Sequence, residues 1–153
     1  MYEPNNRELS ISVETPLGFD ECLGCLRTIL RQASFSIIAE IPFDREFKEH
    51  LGLSWRRYTV VVVWSPFHAY QGVLNDQEAG ILLPFHFVVA ETTDGTSVAA
   101  TNLGLLGDLA GRIGLRLVGA NLTRHIQQTL DQLHTARRDG SHVLATRHSE
   151  DHE

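Results

Sequence analysis

Two cysteines in 153 residues exclude a disulfide-stapled scaffold and a four-thiolate zinc site, which needs four sulfurs. No run of lysine or arginine is present; Arg56-Arg57 and Arg137-Arg138 are only pairs. With a formal net charge of -6, the surface repels phosphate backbones, and non-specific nucleic-acid binding is not expected. The most apolar long stretch, Leu103 to Leu122, is interrupted by Asp108, Arg112, Arg116 and Asn121, which argues against a membrane span. The polar start, Met1 to Asn6, lacks the apolar core of an export signal, so the expected location is the cytoplasm. G-x-S-x-G, H-E-x-x-H, the Walker pattern and G-x-G-x-x-G are all missing. No two carboxylates are placed as an acid-base couple. No catalytic residue, metal ligand set or cofactor is therefore assigned.

What remains is ordinary globular material. Hydrophobic residues make up 42% and charged residues 21%, normal for one domain. A chain of this length buries about 70% of its unfolded surface and needs no covalent staple. One domain over 1–138 is expected, with residues 139–153 as a solvated tail.

Periodicity supplies the elements. Leu9, Ile11 and Val13 alternate with polar residues, a half-buried strand. Phe19, Cys22, Leu23, Leu26, Ile29 and Leu30 share one helical stripe ending near Gln32. Phe35, Ile37, Ala39 and Ile41 alternate as a second strand closed by Pro42. Asp44 is placed to cap a short helix with Phe43, Phe47 and Leu51 inward, stopped by Gly52. The run Tyr58 to Trp64 contains four consecutive valines, which suits a central strand buried on both faces. His68 to Leu74 fits two helical turns. Gly80 to Glu91 reads as a long strand, with Pro84 marking an edge, a bulge or an entry point. Asp94-Gly95 signals a hairpin into Thr96–Thr101. A helical pattern runs from Leu103, Leu106, Ala110 and Ile113 through Val118 to Leu133, and a last helix is predicted within it over about Asn121 to Arg137. The order gives an α+β fold, with a mostly antiparallel sheet, helices on one face and short helical insertions.

Several pieces of Phe47 to Thr101 carry a resemblance. They are Phe47-Lys48-Glu49-His50-Leu51-Gly52, Ser65-Pro66-Phe67-His68-Ala69-Tyr70, Ala79-Gly80-Ile81-Leu82-Leu83-Pro84, and Val88-Val89 followed by Asp94-Gly95. Together they are similar to the domain-of-unknown-function 302 family of bacteria and archaea, with weaker matching over Leu9 to Leu133. The resemblance implies a fold like that of the TATA-binding protein, strand-helix-four strands-helix. It implies no activity, and fold alone does not carry DNA binding. Many members have cysteines where this chain has Trp64 and Phe85, so thiol chemistry at that pair is absent here.

Candidate site residues follow. Cys22 and Cys25 have a C-x-x-C spacing, but they sit inside the predicted helix, and the structural reading is preferred over redox or metal chemistry. Pro66-Phe67-His68 and Pro84-Phe85-His86 repeat one tripeptide after strand runs, so both imidazoles are expected to face one cleft. An acid-base or metal-assisted enzyme would need a third ligand there, with Glu91, Asp76 or His50 considered. Gly104, Gly107, Gly111 and Gly114 suggest close helix approach at a dimer interface, a loop cradling an anion, or an irregular segment, the last being preferred. The leading expectation is a non-catalytic homodimer binding a small-molecule ligand at Trp64, His68, Tyr70, Pro84 and His86. A small enzyme using His68 and His86, and a protein-protein interaction module using the glycines or a sheet edge, are the alternatives.

Overall fold

The structure, a computed structural model, describes residues 10–104 and 113–136. Gly107 and Gly111, and the tail with His142, His148 and His152, lie outside the described residues. The elements run β1 (Ser10–Thr15), α1 (Phe19–Gln32), β2 (Ser36–Pro42), α2 (Phe43–Leu51), β3 (Tyr58–Trp64), α3 (Pro66–Asn75), a 3-10 turn (Gln77–Ile81), β4 (Phe85–Glu91), β5 (Thr96–Thr101) and α4 (Ile113–Thr135). The strands form one sheet, ordered β1-β5-β4-β3-β2, with every pair antiparallel. The α+β expectation holds.

α1 and α4 contact each other and pack on one face of the sheet. The six residues of the α1 stripe are all buried. They meet Val61 and Val63 of β3, Phe85, Phe87 and Val89 of β4, and Val98 and Ala100 of β5. From α4, Leu122, Ile126, Leu130 and Leu133 complete the core.

Three strand readings are corrected. β3 is buried on one side only: Val61 and Val63 are inside, whereas Val60 and Val62 are half-exposed on the outer face. Four valines fit either arrangement, because β-branched residues favour any pleated surface. In β2 a bulge between Ile37 and Ala39 shifts the register, and one extra residue turns the following side chains over. Ile37 therefore faces the core opposite Val63, while Ala39 and Ile41 lie outward opposite Val62 and Val60. Glu40 is turned inward, where the Arg27 guanidinium grips it bidentately at 2.6 and 2.7 Å. β4 begins only at Phe85, because Gln77–Ile81 forms a 3-10 turn before the cis peptide Leu83-Pro84.

Helix ends also differ from the sequence reading. Asp44 lies within α2, which no side chain caps. Its carboxylate accepts instead from Tyr58 N–H at 3.0 Å. α2 has no buried residue; Phe43 and Phe47 are half-buried and Leu51 is exposed. Gly52 does end α2, at φ 66°. α4 begins at Ile113, inside the helical pattern that starts at Leu103 and eight residues before Asn121. The hairpin glycine is required by proximity. A Cβ on Gly95 would fall inside contact distance of Thr15 O and 2.6 Å from Pro16 Cα.

The α1–β2 turn closes with Ser34 N–H donating to Arg31 O at 3.0 Å and Phe35 N–H to Leu30 O at 2.9 Å. These are the paired bonds of a Schellman ending, which places Ser34 in the left-handed region at φ 66°. A Cβ is disfavoured there, and the Ser34 side chain is exposed. Ser34→Gly is expected to stabilise the fold by roughly 0.5–1 kcal/mol, read from denaturant midpoints at unchanged m-value. A loss of stability would show that the Ser34 side chain, rather than its backbone, matters.

Candidate functional site

β3 hands directly into α3. Ser65 takes the extended N-cap conformation and Pro66 the first helical position, where its missing N–H costs nothing. Three residues on, His68 is 7% exposed. Its Nδ1 lies 2.6 Å from Ser65 Oγ and its Nε2 2.8 Å from Asn121 Oδ1 on α4. A carbonyl oxygen only accepts, so Nε2 carries the proton and Nδ1 accepts from the Ser65 hydroxyl. Both ring nitrogens are satisfied.

Phe35 gathers the surroundings. It stacks on His68 at 6.1 Å and meets Phe85 and His125 edge-on at 5.7 and 5.9 Å. His125 is edge-on to His68 at 5.6 Å. Burial, then the neighbouring His68 and Arg124, hold the His125 imidazole below its ordinary pKa. The order hydroxyl–imidazole–amide is that of a nucleophile, its base and an orienting group. Here, however, the Ser65 oxygen also faces His68 N–H, at 3.5 Å, as the cap of the same helical turn. Freeing this hydroxyl for attack would uncap α3. The group is best understood as a lock that pins α3 to α4.

The other sequence candidates do not join it. The β4 alternation buries Phe85 and Phe87 and leaves His86 exposed on the outer face, opposite Val62. His68 lies on the helical side, so the two imidazoles face opposite sides of the sheet and share no cleft. This corrects the expectation on which the two-histidine enzyme rested. Trp64, half-buried, ends β3 opposite Ser36. Pro84 is half-buried after its cis bond, and Tyr70 points out from α3. Of the proposed third ligands, His50 pairs with Glu46 and Asp76 caps the 3-10 turn. Among the described residues, no three His, Cys, Asp or Glu side chains group as a metal site. Cys22 is fully buried in α1, with burial pushing its thiol pKa up to about 12, the state of an inert thiol. Burial raises Cys25 as well.

The sequence reading missed Asn121 and His125, and it missed the outward side of α3. That helix buries His68, Ala69 and Gly72 and exposes Phe67, Tyr70 and Leu74 at 65%, 66% and 67%. The inner side is tight: a Cβ on Gly72 would lie 3.1 Å from both Ala79 Cβ and Leu83 Cδ1. Depressions elsewhere among the described residues include an apolar and an open one. An apolar cleft between Leu83, Leu103 and Leu122 has a volume of about 10 Å³, room for one water at most. A hollow of about 420 Å³ beside Ser54, Trp55 and Arg56 is open to solvent.

Asn121→Ala is expected to cost about 1–3 kcal/mol, because it strands a buried imidazole N–H. A change under half a kcal/mol in urea unfolding would remove the lock. His125 titrates lower in the folded chain than unfolded, so its contribution is complete above about pH 6.5 and is lost as pH falls through its depressed folded value. Stability is expected to decline as pH falls below about 6.5. His125→Gln should flatten that slope, and an unchanged slope would exclude His125 as its source.

No helix among the described residues is long and apolar enough to cross a membrane. No curated protein matches the chain. A crystal structure of an uncharacterized conserved protein, DUF302, from Bacillus stearothermophilus superposes with a TM-score of 0.77 at 19% identity, covering 82% of this chain and 98% of that one. At that identity the likeness establishes the fold. The profile of the domain of unknown function DUF302 matches residues 11–133. With that match spanning most of its length, the chain belongs to the DUF302 family.

Proposed function

We propose that this domain is a non-catalytic binding module whose working surface is the outer stripe of α3, formed by Phe67, Tyr70 and Leu74. One observation carries the reading: α3 is inverted, with small or polar residues inward and large apolar ones outward. Burying a side chain of that size yields about 1.5–3 kcal/mol. Three such gains are left unused in the isolated chain and remain available to a partner. The spacing of three and four residues is that of helix-mediated docking. The lock at His68 fixes the rotation of α3 about its own axis, which preorganises the stripe and lowers the entropy lost on binding. On this reading Tyr70 contributes to the binding surface, whereas His86 lies on the outer face of the sheet. A small-ligand pocket shared by all five residues is the less supported reading.

The test uses protein diluted until any assembly has dissociated. The wild-type chain is expected to bind an apolar fluorescent dye, and a Phe67→Asp/Leu74→Asp variant to lose most of that signal. The variant should melt within a few degrees of the wild type, since neither side chain fills the core. Undiminished dye binding in the variant, or destabilisation beyond about 2 kcal/mol, would overturn the reading.

A further inference from the structure

We infer that the occupant of the α3 stripe is a second copy of this chain, its α3 lying antiparallel to the first across a two-fold axis near Tyr70. The inference rests on the reading of α3 as a binding surface and adds the identity of the partner.

Charge favours a self-partner at this face. Each copy carries a net charge of -6, so two copies repel wherever their carboxylates meet. α3, from Pro66 to Asn75, contains no charged residue at all. The helix itself adds no like-charge cost and gives a cationic partner nothing to grip; Glu78 on the adjoining 3-10 turn falls at the rim.

The area is also adequate. Val73 on α3, Ile81 on the 3-10 turn and Leu117 on α4 are each more than half exposed, and both of those neighbouring elements contact α3. With Phe67, Tyr70 and Leu74 they expose apolar surface on the order of a few hundred Å², the scale of the largest patch on a typical monomer. A standard interface takes about 800 Å² per partner, which the flanking polar groups can complete.

The pattern is self-complementary. In an antiparallel pair, Phe67 of one copy falls against Leu74 of the other while the two Tyr70 rings meet near the axis. Such isologous contact closes the assembly at two copies. The β2 edge of the sheet is less suited to this role, because it is blunted by its bulge and by Pro42.

Sedimentation velocity over a concentration series tests this, with circular dichroism to confirm folding. The wild type is expected to pass from monomer to dimer. Tyr70→Lys should weaken dimerisation at least about tenfold, and Ile41→Lys on the outer sheet face should leave it intact. In a Cys25→Ala background, Tyr70→Cys should form a cross-linked dimer on mild oxidation. Dimers that survive Tyr70→Lys, or are lost with Ile41→Lys, overturn the proposal. A wild type monomeric at every concentration also overturns it: if α3-dependent dye binding persists, the surface reading stands with another partner, and if it does not, both readings fall.

Discussion

The orientation of α3 depends on one hydrogen-bonded chain, Ser65 to His68 to Asn121. A buried imidazole needs both nitrogens satisfied, and leaving one unpaired costs about as much as burying a medium apolar side chain gains. The lock therefore offsets about one of the three burials that turning Phe67, Tyr70 and Leu74 inward would gain. The close packing of Gly72 against Ala79 and Leu83 settles the matter, because no large side chain fits there. The outward stripe is thus a consequence of how the inner side is filled.

The rest of the sandwich supports that geometry. Phe35 sits at the end of the α1–β2 turn and packs on His68, Phe85 and His125, joining the core under α1 to the α3–α4 contact. The β2 bulge admits Glu40 to the inner side only because Arg27 meets it there, and the pairing holds the Glu40 carboxyl below its ordinary pKa. A half-buried carboxylate in that position without a cation would carry a desolvation cost with nothing to offset it.

Much of this was legible in advance. The α1 stripe, the Gly52 stop, the hairpin at Asp94-Gly95 and the α+β class follow from local patterns whose periods are fixed by backbone geometry. The structural reading of Cys22 followed in the same way, from its place on the stripe. The candidate site was harder to see. The repeated Pro-Phe-His tripeptides look equivalent in sequence. One His begins a helix packed on α4, and the other lies on the outer face of a strand. Nothing local distinguishes them.

The sequence by itself determined most of the elements, their order, the net negative charge and the absence of known catalytic motifs, because each of these resides in composition or in a short repeat. Tertiary structure alone decided which side of each element faces the core. A 3/4 spacing defines a stripe but not its direction, four valines do not say which faces are covered, and a one-residue bulge inverts every side chain after it. Those choices rest on contacts between residues as far apart as His68 and Asn121, where the free energy belongs to the pair and neither residue signals it alone.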